Sequence, residues 1–172
     1  MRIYCDTDTL LSNIRHPDEK CRAELAALQK LLAGRRDEGY SMFRSLVNYR
    51  ELMETFDDSQ KSALLQDYES LEPVRKDEKV LGMQTQEDRY GGCVVYPLVS
   101  DVQDEAMCQE LTDRGIKLRD AQHITQAICN ACDVFLTRDE GTIIKRHRQW
   151  IEQRFPMLRV RLPSELAAEL FP

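Results

Sequence analysis

Residues 133–137 (Asp-Val-Phe-Leu-Thr) limit the fold more than any other stretch of this sequence, being a short apolar run enclosed by two segments of helical period. A strand covered on both faces reads this way, whereas a strand with one wet face alternates. Upstream, small or apolar residues recur at Ala121, Ile124, Ala127, Ile128 and Ala131, from a start at Asp120. Downstream, Glu140 to Arg154 puts Ile143, Ile144, Trp150 and Ile151 on one side. Two further segments, 2–5 (Arg-Ile-Tyr-Cys) and the alternating 158–162 (Leu-Arg-Val-Arg-Leu), read as strands, and Pro163-Ser164 opens a short terminal helix. Strands separated by helices predict a three-layer α/β/α sandwich around a mostly parallel sheet.

The first half follows the same plan. A turn at His16-Pro17 leads into apolar residues at Cys21, Leu25, Leu28 and Leu32, a helical stripe that Gly34 is placed to end. Residues 40–45 form a second short strand, followed by helices over about Leu46–Phe56 and Ser59–Leu71. Residues 72–92 hold Pro73, mixed charges and Gly91-Gly92 without sustained periodicity. The stretch 57–92 is therefore expected to be an insertion or long connection in a single domain spanning 1–172. Residues 93–99 are extended, and Ser100 with Gln103 has the capping-box pattern of a helix ending near Gly115.

Composition narrows the function classes. A charged fraction of 31% beside 42% hydrophobic residues excludes a disordered chain, and the apolar stretch 93–99 is too short to cross a bilayer. Asp6 and Asp8 interrupt the N-terminus where a secretory signal needs an apolar run, so a cytoplasmic protein with reduced thiols is expected. Cys129 and Cys132 form a lone CxxC on a predicted helix without a second pair, which argues against zinc. The net charge of −6 argues against holding nucleic acid by bulk charge, but not against binding a phosphodiester locally through metal ions.

Carboxylates are the candidate chemistry. In a parallel sheet the site forms where strands end and helices begin. Asp6 and Asp8 follow the first strand, Asp139 follows the strand at 133–137, and Asp120 opens a helix. Carboxylates gathered on one rim repel one another and raise their own pKa values unless a cation sits among them, and hard oxygen donors suit Mg²⁺ or Mn²⁺. Each of these aspartates is equally a favoured N-cap residue. Glu51, within a predicted helix, is not singled out by spacing.

Three segments resemble PIN domains: Ile-Tyr-Cys-Asp-Thr-Asp-Thr-Leu-Leu (3–11), Arg-Ser-Leu-Val-Asn-Tyr-Arg-Glu-Leu (44–52), and residues 118–141, with Asp-Ala-x-His on a helix and Asp-x-x-Leu-Thr-x-Asp after it. The resemblance covers roughly residues 1–60 and 93–165, and is most specific in the second half. It implies an acidic quartet of Asp6, Glu51, Asp120 and Asp139, with Thr137 as the hydroxyl beside the site. Asp8 stands where many members carry Asn, and Glu140 is the nearest counterpart of a further acid. The resemblance further implies one or two Mg²⁺ or Mn²⁺ ions and a metal-dependent endoribonuclease. It also implies a toxin of a VapC-type toxin–antitoxin pair, with an antitoxin partner and a homodimer.

Other readings stand beside it. Asp6-Thr7-Asp8-Thr9 also fits the nucleophile motif of haloacid dehalogenase-like phosphatases, with Asp6 as nucleophile and Asp8 as acid/base, although the distal acidic motif of that family is absent. A PIN fold serving only as a binding module is the non-enzymatic alternative. Residues 138–161 carry seven basic and three acidic side chains, a net +4, against −10 for the remainder. Arg138, Lys145, Arg146 and Arg148 are accordingly candidate phosphate contacts, or else an ordinary solvated helix face. His123 and His147 are expected to be packing or surface residues.

Overall fold

The computed structural model describes residues 1–10, 19–35, 38–55, 65–87, 93–100 and 102–172; for 19, 20, 55, 80–87 and 93–99 it describes backbone alone. The turn at His16-Pro17, Phe56, the beginning of the helix expected from Ser59, and Gly91-Gly92 lie outside these residues. In chain order the elements begin with β1 (Arg2–Cys5), α1 (Thr7–Leu10), α2 (Glu19–Gly34), β2 (Ser41–Arg44), α3 (Leu46–Thr55), α4 (65–69) and β3 (Glu72–Pro73). They continue with β4 (Lys79–Glu87), β5 (Cys93–Ser100), α5 (Glu105–Asp113), α6 (Leu118–Cys129) and β6 (Val134–Leu136). A π-helical segment, Glu140–His147, then runs into α7 (Arg148–Arg154), followed by β7 (Arg159–Arg161) and α8 (Pro163–Leu170).

Five strands form one all-parallel sheet in the order β3-β2-β1-β6-β7. The chain builds outward from β1 on one side and later returns to its other side, so the topological switch falls between β1 and β6. Side-chain alternation then sorts the core. Ile3, Cys5, Met42, Val134 and Leu136 pack against Leu28 and Leu31 of α2 and Leu166 of α8. Tyr4, Phe43, Phe135 and Val160 face the other layer, with Leu111 of α5, Ile124 and Ala127 of α6, and Ile151 of α7. This is the three-layer sandwich expected, and each fully buried side chain such as Phe135 stabilises it by about 1.5–3 kcal/mol.

Helix α6 is the central element of its layer: every residue from Ala121 to Ala127 is buried. Several of its polar side chains find partners elsewhere in the fold. Gln126 donates to the carbonyl of Asp77, and Asn130 pairs with both backbone groups of Lys76 at 2.8 Å. The segment held this way places the Asp77 carboxylate 2.9 Å from the Leu46 N–H, where it caps α3 from a distant part of the chain.

Several local expectations shift. The stretch at 72–92 contains β3 and β4, and β4 pairs antiparallel with β5 in a separate two-stranded sheet. The strand expected at 93–99 therefore lies outside the parallel sheet. Helix α5 is capped by Asp104, which accepts the Met107 N–H at 2.9 Å, and not by Ser100. Its end is a Schellman turn with Gly115 at φ 90°, closed by Gly115 N–H to Thr112 O and Ile116 N–H to Leu111 O. A Cβ at Gly34 would lie 2.7 Å from the tip of the Phe171 ring, so any larger residue there would have to displace that ring. Among the described residues, no helix is long and apolar enough to cross a membrane.

Candidate metal centre

Register creates the site. Parallel pairing sets Cys5 opposite Leu136, so the residues that follow, Asp6 and Thr137, leave the sheet side by side at the switch point. The Thr137 hydroxyl donates to Asp6 Oδ2 at 2.6 Å and accepts the Asp139 N–H at 3.1 Å. Asp139 is then held by capping, since its Oδ1 accepts the Thr142 N–H at 2.8 Å. The turn beyond it is wide, with Ile144 N–H reaching Asp139 O across five residues.

Two helices bring the other donors. Helix α3, starting just after β2, carries Glu51, and α6 carries Asp120 in its first turn and His123 one turn later. His123 Nε2 lies 2.8 Å from Glu51 Oε2, 3.1 Å from Thr7 Oγ1 and 3.6 Å from Asp6 Oδ1. One ligand atom from each of Asp6, Glu51 and His123 falls within 4.8 Å of the others, a grouping that could hold a metal ion. Asp6 and His123 are buried, Glu51 partly so.

A hydrogen-bond framework fixes this arrangement from behind. His123 Nδ1 is 2.8 Å from the Tyr4 hydroxyl, which also meets Ser45 Oγ at 2.6 Å and donates to Asn48 Oδ1. Asn48 Nδ2 donates to Cys5 O and Thr7 Oγ1, while its Oδ1 accepts the Ser45 N–H. The amide orientation is thus determined by a carbonyl on one side and an N–H on the other.

The electrostatics are those of an anion-rich site. Burial pushes the Asp6 carboxyl up to about 6, and the charges of Asp8 and Glu51 add to it, against opposition from His123 and the Thr137 hydroxyl. Burial, and then the charges of Asp6 and Asp139, push Asp120 up to about 7. Burial also works against charge at Glu51, but the hydrogen bond and charge of His123, the bond to Thr7 and the charge of Arg119 together outweigh it and hold that carboxyl below its ordinary value. Burial alone would lower His123; the bond to Glu51 and the charges of Asp6 and Asp120 raise it instead. Asp120 Oδ2 is buried without a hydrogen-bond partner, a costly state for a carboxylate oxygen that a cation would relieve.

The expected residues therefore meet in part. Asp6 and Glu51 meet at the switch point with Thr137 bonded to Asp6, whereas Asp139 and Asp120 stand outside the ligand grouping, Asp120 feeling the charges of Asp6, Asp139 and His123, and Asp8 is close enough to raise Asp6. Capping, the alternative for each aspartate, is realised by the Asp139 side chain, whereas Lys117 stands at the N-cap of α6 and Asp120 lies inside it. His123 was expected to be a packing or surface residue; it is buried, and it is also at the heart of the cluster. Its place three residues after Asp120, on the same face of one helix, is the signal that marks it. Nothing in the sequence marks Tyr4, Asn48 or Asp77.

The basic candidates divide. Arg148 pairs with Glu165 at 2.9 Å and lies 3.7 Å from Glu152. Arg138 is half-buried, with its guanidinium 3.5 Å from Asp8 O and 3.2 Å from Cys21 Sγ. Lys145 and Arg146 are exposed and enter no ion pair among the described residues. No protein-family model, curated protein or solved structure matches the chain.

Proposed function

We propose that this chain is a PIN-like endoribonuclease that hydrolyses RNA phosphodiester bonds with the help of Mg²⁺ or Mn²⁺. The observation that carries the proposal is the convergence of Asp6, Glu51 and His123 at the switch point of a parallel sheet, with the unpartnered Asp120 Oδ2 among the charges around them. The donor set suits the ion: it is rich in carboxylate oxygen, and Asp6 and Asp120 are pushed up as expected of a site built around a positive charge. Bound there, a divalent ion would supply Lewis acidity toward a phosphate oxygen and make a water a stronger nucleophile. Asp6, Glu51 and Asp120 would hold it. Thr137 fixes the Asp6 carboxylate by its 2.6 Å bond and anchors the backbone of Asp139, so neither has to reorganise during the reaction.

Substrate strands need positive charge near these acids. A groove of about 480 Å³ beside Lys145 and Arg146, on the segment that follows Asp139, supports a path for the phosphate backbone. The test is cleavage of end-labelled single-stranded and hairpin RNAs by the full chain with Mg²⁺ or Mn²⁺. Activity should fall by roughly a hundredfold or more in Asp6→Asn and in Asp120→Asn. Cleavage that survives both substitutions contradicts the proposal, and negligible ion binding by calorimetry would favour a non-catalytic binding module.

A further inference from the structure

Among the acids stands one nitrogen, and its position has consequences for which ion the site takes. We propose that His123 Nε2 is a direct ligand, so that the centre selects a borderline cation such as Mn²⁺ over Mg²⁺; this rests on the metal-centre reading above. A histidine serving only as packing would turn its ring nitrogens toward single satisfied partners. Here Nε2 faces two carboxylates from different elements, 2.8 Å from Glu51 and 3.6 Å from Asp6. Ligands about 2.1 Å from an ion in octahedral geometry lie about 3 Å apart, so these separations are already near those of a shared coordination sphere.

The other ring nitrogen completes the case. Metal-ligating histidines are characteristically oriented through their second nitrogen by a fixed polar group. Nδ1 is 2.8 Å from the Tyr4 hydroxyl, and Tyr4 is immobilised by Ser45 and Asn48 in a fully buried setting. The imidazole therefore cannot swing away without breaking a chain of bonds that runs through the β1 backbone at Cys5. Nitrogen donors add little for Mg²⁺, which prefers oxygen and retains its waters, and add more for Mn²⁺ and the later divalent ions.

Pulsed electron paramagnetic resonance on the metal-free full chain loaded with Mn²⁺ reads the bond directly, alongside competition calorimetry with Mg²⁺. Wild type should display ¹⁴N coupling from an imidazole, replaced by the ¹⁵N pattern when histidine is isotopically labelled, and should bind Mn²⁺ roughly tenfold or more tightly than Mg²⁺. His123→Gln should lose the coupling and bring the two affinities together. Mn²⁺ bound by wild type without nitrogen coupling overturns the inference while leaving the metal centre standing, and needs no variant to fold. An unchanged selectivity in a folded His123→Gln overturns it equally. Failure of wild type to bind either ion would overturn the metal centre itself, and this inference with it.

Discussion

Asp120 carries an unusual combination: a buried, unpartnered oxygen, a pKa pushed up to about 7, and two other aspartates whose charges oppose its ionisation. Because its folded pKa lies above the ordinary 3.8, its contribution to stability is fully present below that value and lost as pH rises through about 7. Asp120→Asn should therefore match wild type near pH 4. In the absence of metal it should become more stable as pH rises, by on the order of 1–2 kcal/mol at a plateau above pH 7 after allowance for its partial exposure. Thermal unfolding across pH 4–8 checks this, and a difference that does not vary with pH would contradict it. Addition of Mn²⁺ should reverse the order, since only wild type keeps the full donor set. Asp6, at about 6, behaves with the same sign, so Mn²⁺ affinity should strengthen from pH 5.5 to 7.5 as bound protons are displaced, measurable by calorimetry. The aspartates were legible in the sequence because acids that follow strands stand out against the strand ends of a parallel sheet. His123 reads as packing, because a single histidine on an apolar helix is ambiguous until its spacing from Asp120 is weighed with it.

At the scale of elements, the site depends on two helices whose ends are unusually made. Helix α6 closes on a Schellman turn, Cys132 N–H to Ala127 O and Ala131 N–H to Ile128 O, with Ala131 at φ 52° in the position that favours glycine. Ala131→Gly should stabilise the protein by about 0.5–1 kcal/mol, seen as a higher midpoint in denaturant with an unchanged slope. Helix α3 is capped by Asp77, which lies beyond it in the chain. Asp77→Ala should cost about 1 kcal/mol and weaken Mn²⁺ binding, because the freed first turn leads directly to Glu51. An unaltered Mn²⁺ affinity in that variant would mean that its side-chain contacts, with His123 and Thr7, position Glu51 without the α3 cap. The helices themselves were legible from their apolar period, and the end of α5 from Gly115. The Asp77 cap was not, since a cap supplied from across the fold leaves no local pattern. The sheet formed by β4 and β5 escaped for a similar reason: its pairing joins a segment without periodicity to one that resembles any short strand.

For the molecule as a whole, charge is distributed by pairing more than by composition. Much of the basic stretch 138–161 is committed: Arg148 to Glu165, Arg154 to Glu110, and Arg159 and Arg161 to Glu169. Lys145 and Arg146 remain exposed beside the segment that leaves the site. Replacing both with Glu should weaken RNA binding by an Asp6→Asn background protein and reduce the salt slope by about 1.4, at roughly 0.7 per phosphate contact on a single strand. Fluorescence anisotropy over a salt series reads this, and Arg148→Ala should instead lower stability with little change in slope. By itself the sequence determined the layered parallel α/β architecture and most of the carboxylates, because apolar period and strand-end acids are local properties of the chain. Tertiary structure alone decided that Asp6 stands beside Thr137, that His123 meets Glu51, and which cations are already neutralised. Those facts depend on strand register and on contacts between residues far apart in sequence, where a one-residue slip would turn every side chain to the opposite face.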